Sequence, residues 1–219
     1  MTDVKICGLT RMKDADVAER AGARYLGVIL ASGPRLLDID GARDVLGARR
    51  HNVRRVAVFG DQSVAELLSI SESLDLDVLQ LHGNPSVGQI RQLRTATARD
   101  LWPVVRVDGT ALPSEATGLA LAAGALVLDA KVVGQLGGTG VALDWEGLAQ
   151  AVAALRLAVP TCRLVLAGGL RTSNVHNAIA LLDPDVVDVS SGVETSPGVK
   201  DPLAIKQFVA AVAVAQRKG

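Results

Sequence analysis

"VKICGLTRMKDADVAERAGARYLGVIL", Val4–Leu30, sets the fold reading. Two short β-branched runs, "VKIC" (4–7) and "YLGVIL" (25–30), flank a charged segment. Within that segment, Lys13–Ala21 brings Val17, Ala18 and Ala21 to one helical face. Strand, helix, strand in that order is the repeating unit of a parallel sheet.

The same unit recurs along the chain. Further strands are expected at "RRVAVF" (54–59), "DVLQLH" (77–82), "WPVVRV" (102–107), "ALVLDA" (125–130), "RLVLAG" (163–168) and "DVVDVS" (185–190). Most are almost continuously apolar, as parallel strands covered on both faces must be. Helices are expected at Gly41–Arg49, with Asp40 as N-cap, and at Ser63–Glu72, where Ser63 and Glu66 form a capping box. Ser86–Thr97, Pro113–Ala122, Trp145–Arg156, Ser173–Leu182 and Pro202–Gln216 complete the set. Eight strands alternating with eight helices predict a closed (β/α)8 TIM barrel, with an open doubly wound sheet as the alternative. No linker or low-complexity stretch divides the chain, so 1–219 reads as a single domain, short for this fold.

Composition narrows the function. About half of the 219 residues are hydrophobic, 49%, which is enough for a sizeable core. The formal net charge is +0 and no Lys/Arg tract occurs, so no nucleic-acid partner is expected. The N-terminus "MTDVKICGLTRMKD" lacks an apolar core and does not read as a signal peptide. The longest apolar run, Gly118–Leu128, is too short to cross a bilayer. The expectation is a cytoplasmic protein in which Cys7 and Cys162 are free thiols, with no structural zinc site. Monomer and homodimer remain equally open.

A TIM barrel carries its function at the C-terminal strand ends. Cys7 ends the first strand, and alternation sends Lys5 and Cys7 to the same, inward side. A thiol beside a positive charge is a candidate nucleophile or base; a small buried hydrophobe is the plain alternative. Asp129 follows four apolar residues in "ALVLDA", where an acid is costly unless it is paired or used. It either serves chemistry, pairs with Lys131 or caps the next turn. The loop after it, with Gly134, Gly137, Gly138 and Gly140, can hinge over a substrate. Gly168-Gly169 and Ser191-Gly192 leave backbone amides uncovered after strands seven and eight, a frequent phosphate site in this fold. Arg35, beside Pro34, suits a carboxylate or phosphate, or else simply faces solvent. His82 either lines the mouth or bonds locally. Arg106 and Asp188 have inward parity and can pair with Asp108 or Lys5. His51 and His176 read as surface residues, and Cys162 as structural.

These motifs resemble a family. "KICGLT", "LQLHG", "LVLDAK" with "GGTG" and "LDW", "LAGGL", and "VDVSSGVE" leading to "PGVKD" are similar to phosphoribosylanthranilate isomerase of tryptophan biosynthesis, in order from Lys5 to Asp201. The resemblance implies an Amadori rearrangement without metal or cofactor, with a phosphosugar-anthranilate as the small-molecule substrate. It makes Cys7 the general base, Asp129 the general acid and Arg35 the partner of the anthranilate carboxylate. The sequence departs from the family pattern around "ASGPRLLD", at Gly60 and at Leu143. A histidine-pathway isomerase on this barrel would have an acid where Cys7 stands. A lyase of the indole-glycerol phosphate synthase type would need a lysine acid and a glutamate base at strand ends. A non-catalytic phosphosugar-binding barrel would keep the glycine pairs and need neither Cys7 nor Asp129.

Overall fold

The computed structural model describes residues 1–48, 52–130 and 144–216. Eight strands close into a barrel: β1 (Asp3–Ile6), β2 (Tyr25–Ile29), β3 (Arg54–Phe59), β4 (Val78–Leu81), β5 (Asp100–Val107), β6 (Ala125–Ala130), β7 (Arg163–Leu166) and β8 (Val186–Val189). Each runs parallel to the next, and β8 pairs with β1 in register Lys5 to Asp188. The helices α1 (Met12–Ala21), α2 (Ile39–Leu46), α3 (Val64–Ser73), α4 (Val87–Ala96), α5 (Ala116–Ala123), α6 (Trp145–Ala158), α7 (Val175–Leu182) and α8 (Pro202–Gln216) alternate with them. The expected TIM barrel is therefore the observed fold, and the open sheet is excluded.

Several boundaries shift for local reasons. The second helix was expected from Gly41 behind an Asp40 cap. It starts instead at Ile39, because the Asp38 carboxylate accepts from the Gly41 amide at 2.8 Å, while Asp40 pairs with Arg43 on the surface. The expected end at Arg49 lies outside the described residues. The Ser63 capping box forms with both of its bonds. The strands stop short of Cys7, Leu30, His82, Gly168 and Ser190, which leaves these residues on the loops at the mouth. After β8 comes a 3-10 turn (Ser191–Val193), then an antiparallel hairpin, β9 (Glu194–Ser196) and β10 (Val199–Lys200), that the sequence pattern does not announce.

The core has two parts. Ile6, Leu26, Val28, Phe59, Leu79, Leu126 and Leu164 face the helices. Tyr25, Val56, Val78, Trp102, Val104, Val127, Val165 and Val186 fill the lower lumen. The Tyr25 and Trp102 rings lie 4.9 Å apart and tilted, closing the barrel floor. Above them the lumen turns polar. Gly27 makes this possible: a Cβ there would come within 3.0 Å of Lys5 Cε, so its absence gives a fully buried lysine room inside the barrel.

Candidate functional site

One cavity opens at the C-terminal ends of the strands, among Cys7, Arg35, Gln80, His82, Asp129, Gly168, Gly169, Asp188 and Ser191. It thus gathers residues after β1, β2, β4, β7 and β8 with the acid of β6. Cys7 and Asp129 share this cavity from strands that are not neighbours: β7 and β8 lie between them on one side. Gly192 does not line the cavity but supports it from behind, since a Cβ there would lie 2.0 Å from the Leu170 carbonyl.

Lys5 and Asp188 form the floor of the site. The Lys5 ammonium donates to Asp188 Oδ2 at 2.7 Å, and both are buried. This is one of the pairings open to Asp188 on parity. Arg106 instead donates from Nη2 to the His82 carbonyl at 3.1 Å. Burial alone would lower the Lys5 pKa, but Asp188 and then Cys7 hold it above its ordinary value.

Cys7 departs from the simple expectation of an activated thiol. Lys5 is beside it and favours the thiolate, but burial outweighs that help and Asp188 adds to it, so the thiol is pushed up. Asp129 shifts in the same direction. Burial, then the negative charge of Asp188, raises its carboxyl from 3.8 to about 6, against one bond from the Ala130 amide at 2.9 Å. At pH 7 about a tenth of such a group carries its proton, against about one in a thousand for an ordinary aspartate. His82 Nε2 lies 3.7 Å from Asp129 Oδ2, yet the two are not an ion pair. Burial, with Arg106 and Lys5 nearby, pushes the imidazole down to about 4, so it is neutral at pH 7.

Arg35 is bound before any substrate arrives. Its Nε and Nη2 donate to the two oxygens of Glu194 at 2.8 and 2.6 Å. The solvent-facing alternative for Arg35 is thereby ruled out, since the residue is only 7% exposed. Glu194 and its second partner Lys200 were quoted in motifs but given no role by sequence reasoning; their spacing to Arg35 is too long for any local pattern to show.

Gly168 and Gly169 both have positive φ, 83° and 64°. At Gly168 a side chain would also strike the Ala130 amide at 2.8 Å and Asp129 Oδ1 at 2.9 Å. The turn after β7 therefore packs directly on the acid of β6. Among the described residues, the amides of Gly169, Ser191 and Gly192 make no hydrogen bond. Gln80 Oε1, His82 Nε2, Arg106 Nε and Asp188 Oδ1 are also buried without a partner there. Cys162 is buried below the barrel, beside β7, with its thiol pushed up to about 11, as suits a structural residue. Lys131, Leu143 and the glycines from 134 to 140 lie outside the described residues, as does His51. No group of three or more metal-ligating side chains occurs among the described residues, and no described helix is long and apolar enough to cross a membrane.

Fold and site together define a TIM-barrel enzyme that holds a buried acid and a thiol over one small-molecule cavity. The chain belongs to the N-(5'-phosphoribosyl)anthranilate isomerase family, whose model matches residues 4–211. A relative of that name from Acidithiobacillus ferrooxidans is 39% identical over 221 residues, covering 97% of this chain and 98% of its own. The phosphoribosyl anthranilate isomerase structure from Thermus thermophilus superposes with TM-score 0.82 at 34% identity, covering 97% of this chain and 99% of its own. A further isomerase structure, in complex with reduced 1-(o-carboxyphenylamino)-1-deoxyribulose 5-phosphate, superposes with TM-score 0.78 at 28% identity and covers 98% and 100%.

Proposed function

We propose that this chain converts N-(5'-phosphoribosyl)anthranilate into 1-(2-carboxyphenylamino)-1-deoxyribulose 5-phosphate, a step of tryptophan biosynthesis, with Asp129 as general acid and Cys7 as general base. The observation that carries the assignment is an acid raised to about 6 in the same cavity as a thiol.

Asp129 donates its proton to the furanose ring oxygen. The C1'–O bond breaks, the nitrogen lone pair forms the C1'=N bond, and the open-chain iminium results. Burial favours the protonated acid, which the step requires. The Cys7 thiolate then takes the proton from C2'. The electron pair of that C–H bond forms C1'=C2' and neutralises the iminium nitrogen. The enol so formed tautomerises to the ketone, and no atom is gained or lost. The resting thiol is not activated by Lys5 alone, so the positive iminium, formed beside it, supplies the remaining bias toward thiolate.

The two ends of the substrate would be held apart. Unbonded amides at Gly169 and Ser191, both on the cavity wall, support phosphate binding there. Arg35 would meet the anthranilate carboxylate through Nη1, which has no partner among the described residues. Fixing both ends orients the sugar between acid and base. The unpartnered Gln80 Oε1 and Asp188 Oδ1 would accept from sugar hydroxyls.

The test mixes purified protein with freshly made phosphoribosylanthranilate and follows loss of its fluorescence, with the histidine-pathway aminoaldose as comparison. Fluorescence loss specific to the anthranilate substrate is expected. A protein that leaves it unchanged, or prefers the histidine-pathway compound, does not have this function.

A further inference from the structure

Beside the cavity lies a buried ion cluster around Glu194, a carboxylate to which the proposed chemistry gives no role. Glu194 Oε1 accepts from the Lys200 ammonium at 2.7 Å as well as from Arg35. Lys200 is 1% exposed and also donates to the Ser190 carbonyl at 3.1 Å. Its own backbone is pinned, since its amide donates to Asp14 at 3.2 Å and its carbonyl accepts from Arg11 at 3.2 Å. Thr10 donates to the Gly198 carbonyl at 2.5 Å, fastening the hairpin turn to the loop after β1. Gly8 sits between the parts: a Cβ there would be 2.5 Å from Arg35 Cδ and 2.9 Å from Ser190 Oγ. The hairpin is thus a rigid support that reaches both the Arg35 and the Ser190 edges of the cavity.

Charge counting gives this support a purpose. Two cations, Arg35 and Lys200, share one carboxylate. With Lys200 protonated the cluster is one positive charge in surplus, and burial, which pulls the Lys200 pKa below its ordinary value against the pull of Glu194, makes that surplus costly. A ligand carboxylate arriving at Arg35 completes two cations against two anions. Without Lys200, the arriving group would meet Glu194 across a single guanidinium.

We propose that Glu194 is the positioning residue for Arg35: by clamping Nε and Nη2 it freezes the guanidinium with Nη1 left for the substrate's ring carboxylate. This rests on the assignment of Arg35 above. The clamp settles the rotamers of a long side chain before binding, so binding does not have to. Sequence reasoning had no means to see it, since Glu194 and Arg35 are 159 positions apart.

The test compares binding of the reduced product analogue with that of a counterpart bearing an unsubstituted phenyl ring. In Glu194→Gln, the carboxylated analogue should weaken roughly tenfold, while the phenyl analogue stays within about twofold. In an Arg35→Ala background, Glu194→Gln should have no further effect on either. Equal weakening of both analogues would reduce Glu194 to general support and overturn the proposal. So would an unchanged or increased preference for the carboxylated analogue, the latter because Glu194 would then be only a competitor for Arg35. If Glu194→Gln does not fold, Glu194→Asp, which keeps the charge and shortens the reach, is read in the same way. Arg35→Ala with an unchanged preference would instead remove the Arg35 assignment, and this inference with it.

Discussion

The lower and upper halves of the barrel lumen are built by the same strands and do opposite things. Below, Trp102, Val104, Val127, Val165 and Val186 make a sealed apolar plug. Two residues further along, the same inward positions carry Arg106 on β5, Asp129 on β6 and Asp188 on β8. The lower layer lowers the free energy of the fold by removing apolar surface from water. The upper layer raises it by burying groups that water would rather keep. Asp129 alone, moved from 3.8 to about 6, costs on the order of 2–3 kcal/mol when ionised. One layer supplies stability and the other, if the proposed mechanism holds, spends it on reactivity, so substitutions in the two should separate cleanly.

The largest effect should come from below. Trp102→Ala leaves a cavity at a fully buried site and should lower unfolding free energy by about 3–5 kcal/mol in a denaturant titration. Turnover per folded molecule should change little; a loss of turnover as large as the stability effect would join the two layers. Next come Cys7→Ser and Asp129→Asn, each expected to cut turnover at least about a hundredfold while product-analogue binding persists. Near-wild-type rates in both would remove the acid–base pair. Arg35→Ala should raise KM about tenfold and spare kcat, since it removes one end of the grip. An unchanged KM would send the carboxylate elsewhere.

The smallest expected effect is in the pH profile. In the proposed mechanism Asp129 acts protonated, titrating near 6, and Cys7 acts as thiolate, with its pKa pushed above the ordinary range. The product of the two active fractions is flat between these values, and it falls below about pH 6 because thiolate continues to be lost while Asp129 is already protonated. The acid limb of kcat/KM should therefore bend near 6. A bend near 4 would mean that Asp129 keeps an ordinary carboxyl pKa.

The two layers also differ in how far the sequence discloses them. Alternation of β-branched runs with amphipathic segments is local, and it was enough for the eight-unit barrel. Strand parity was enough to put Lys5, Cys7, Arg106 and Asp188 inside. The capping box at Ser63 was legible because its two partners are three residues apart. What depends on the closed fold was not legible. Lys5 lies beside Cys7 as expected, but only the three-dimensional burial shows that desolvation outweighs its charge. Nothing in "VDVSSGVE" or "PGVKD" announces a hairpin whose carboxylate reaches back to Arg35. The sequence points to Asp40 as the cap, and the chain path after Leu37 gives that role to Asp38 instead.

The upper layer's defining property, on the mechanism proposed above, is that Asp129 is destabilising because burial keeps it ready to donate. In the folded state its pKa is raised, so as pH climbs from about 4 to 6 the folded form holds a proton the unfolded chain has released, and stability falls. Above that window the penalty is fully present. His82, pushed down to about 4, works in the opposite sense over nearly the same range, because its protonation as pH falls favours the unfolded chain. The most direct measurement is therefore made at pH 7.5 on one preparation of Asp129→Asn, with unfolding free energy and turnover of phosphoribosylanthranilate read side by side. A variant about 1–3 kcal/mol more stable and at least about a hundredfold slower is expected. A variant that is less stable than the parent, or that still turns over substrate at the parental rate, would contradict the claim that this carboxyl is buried for catalysis.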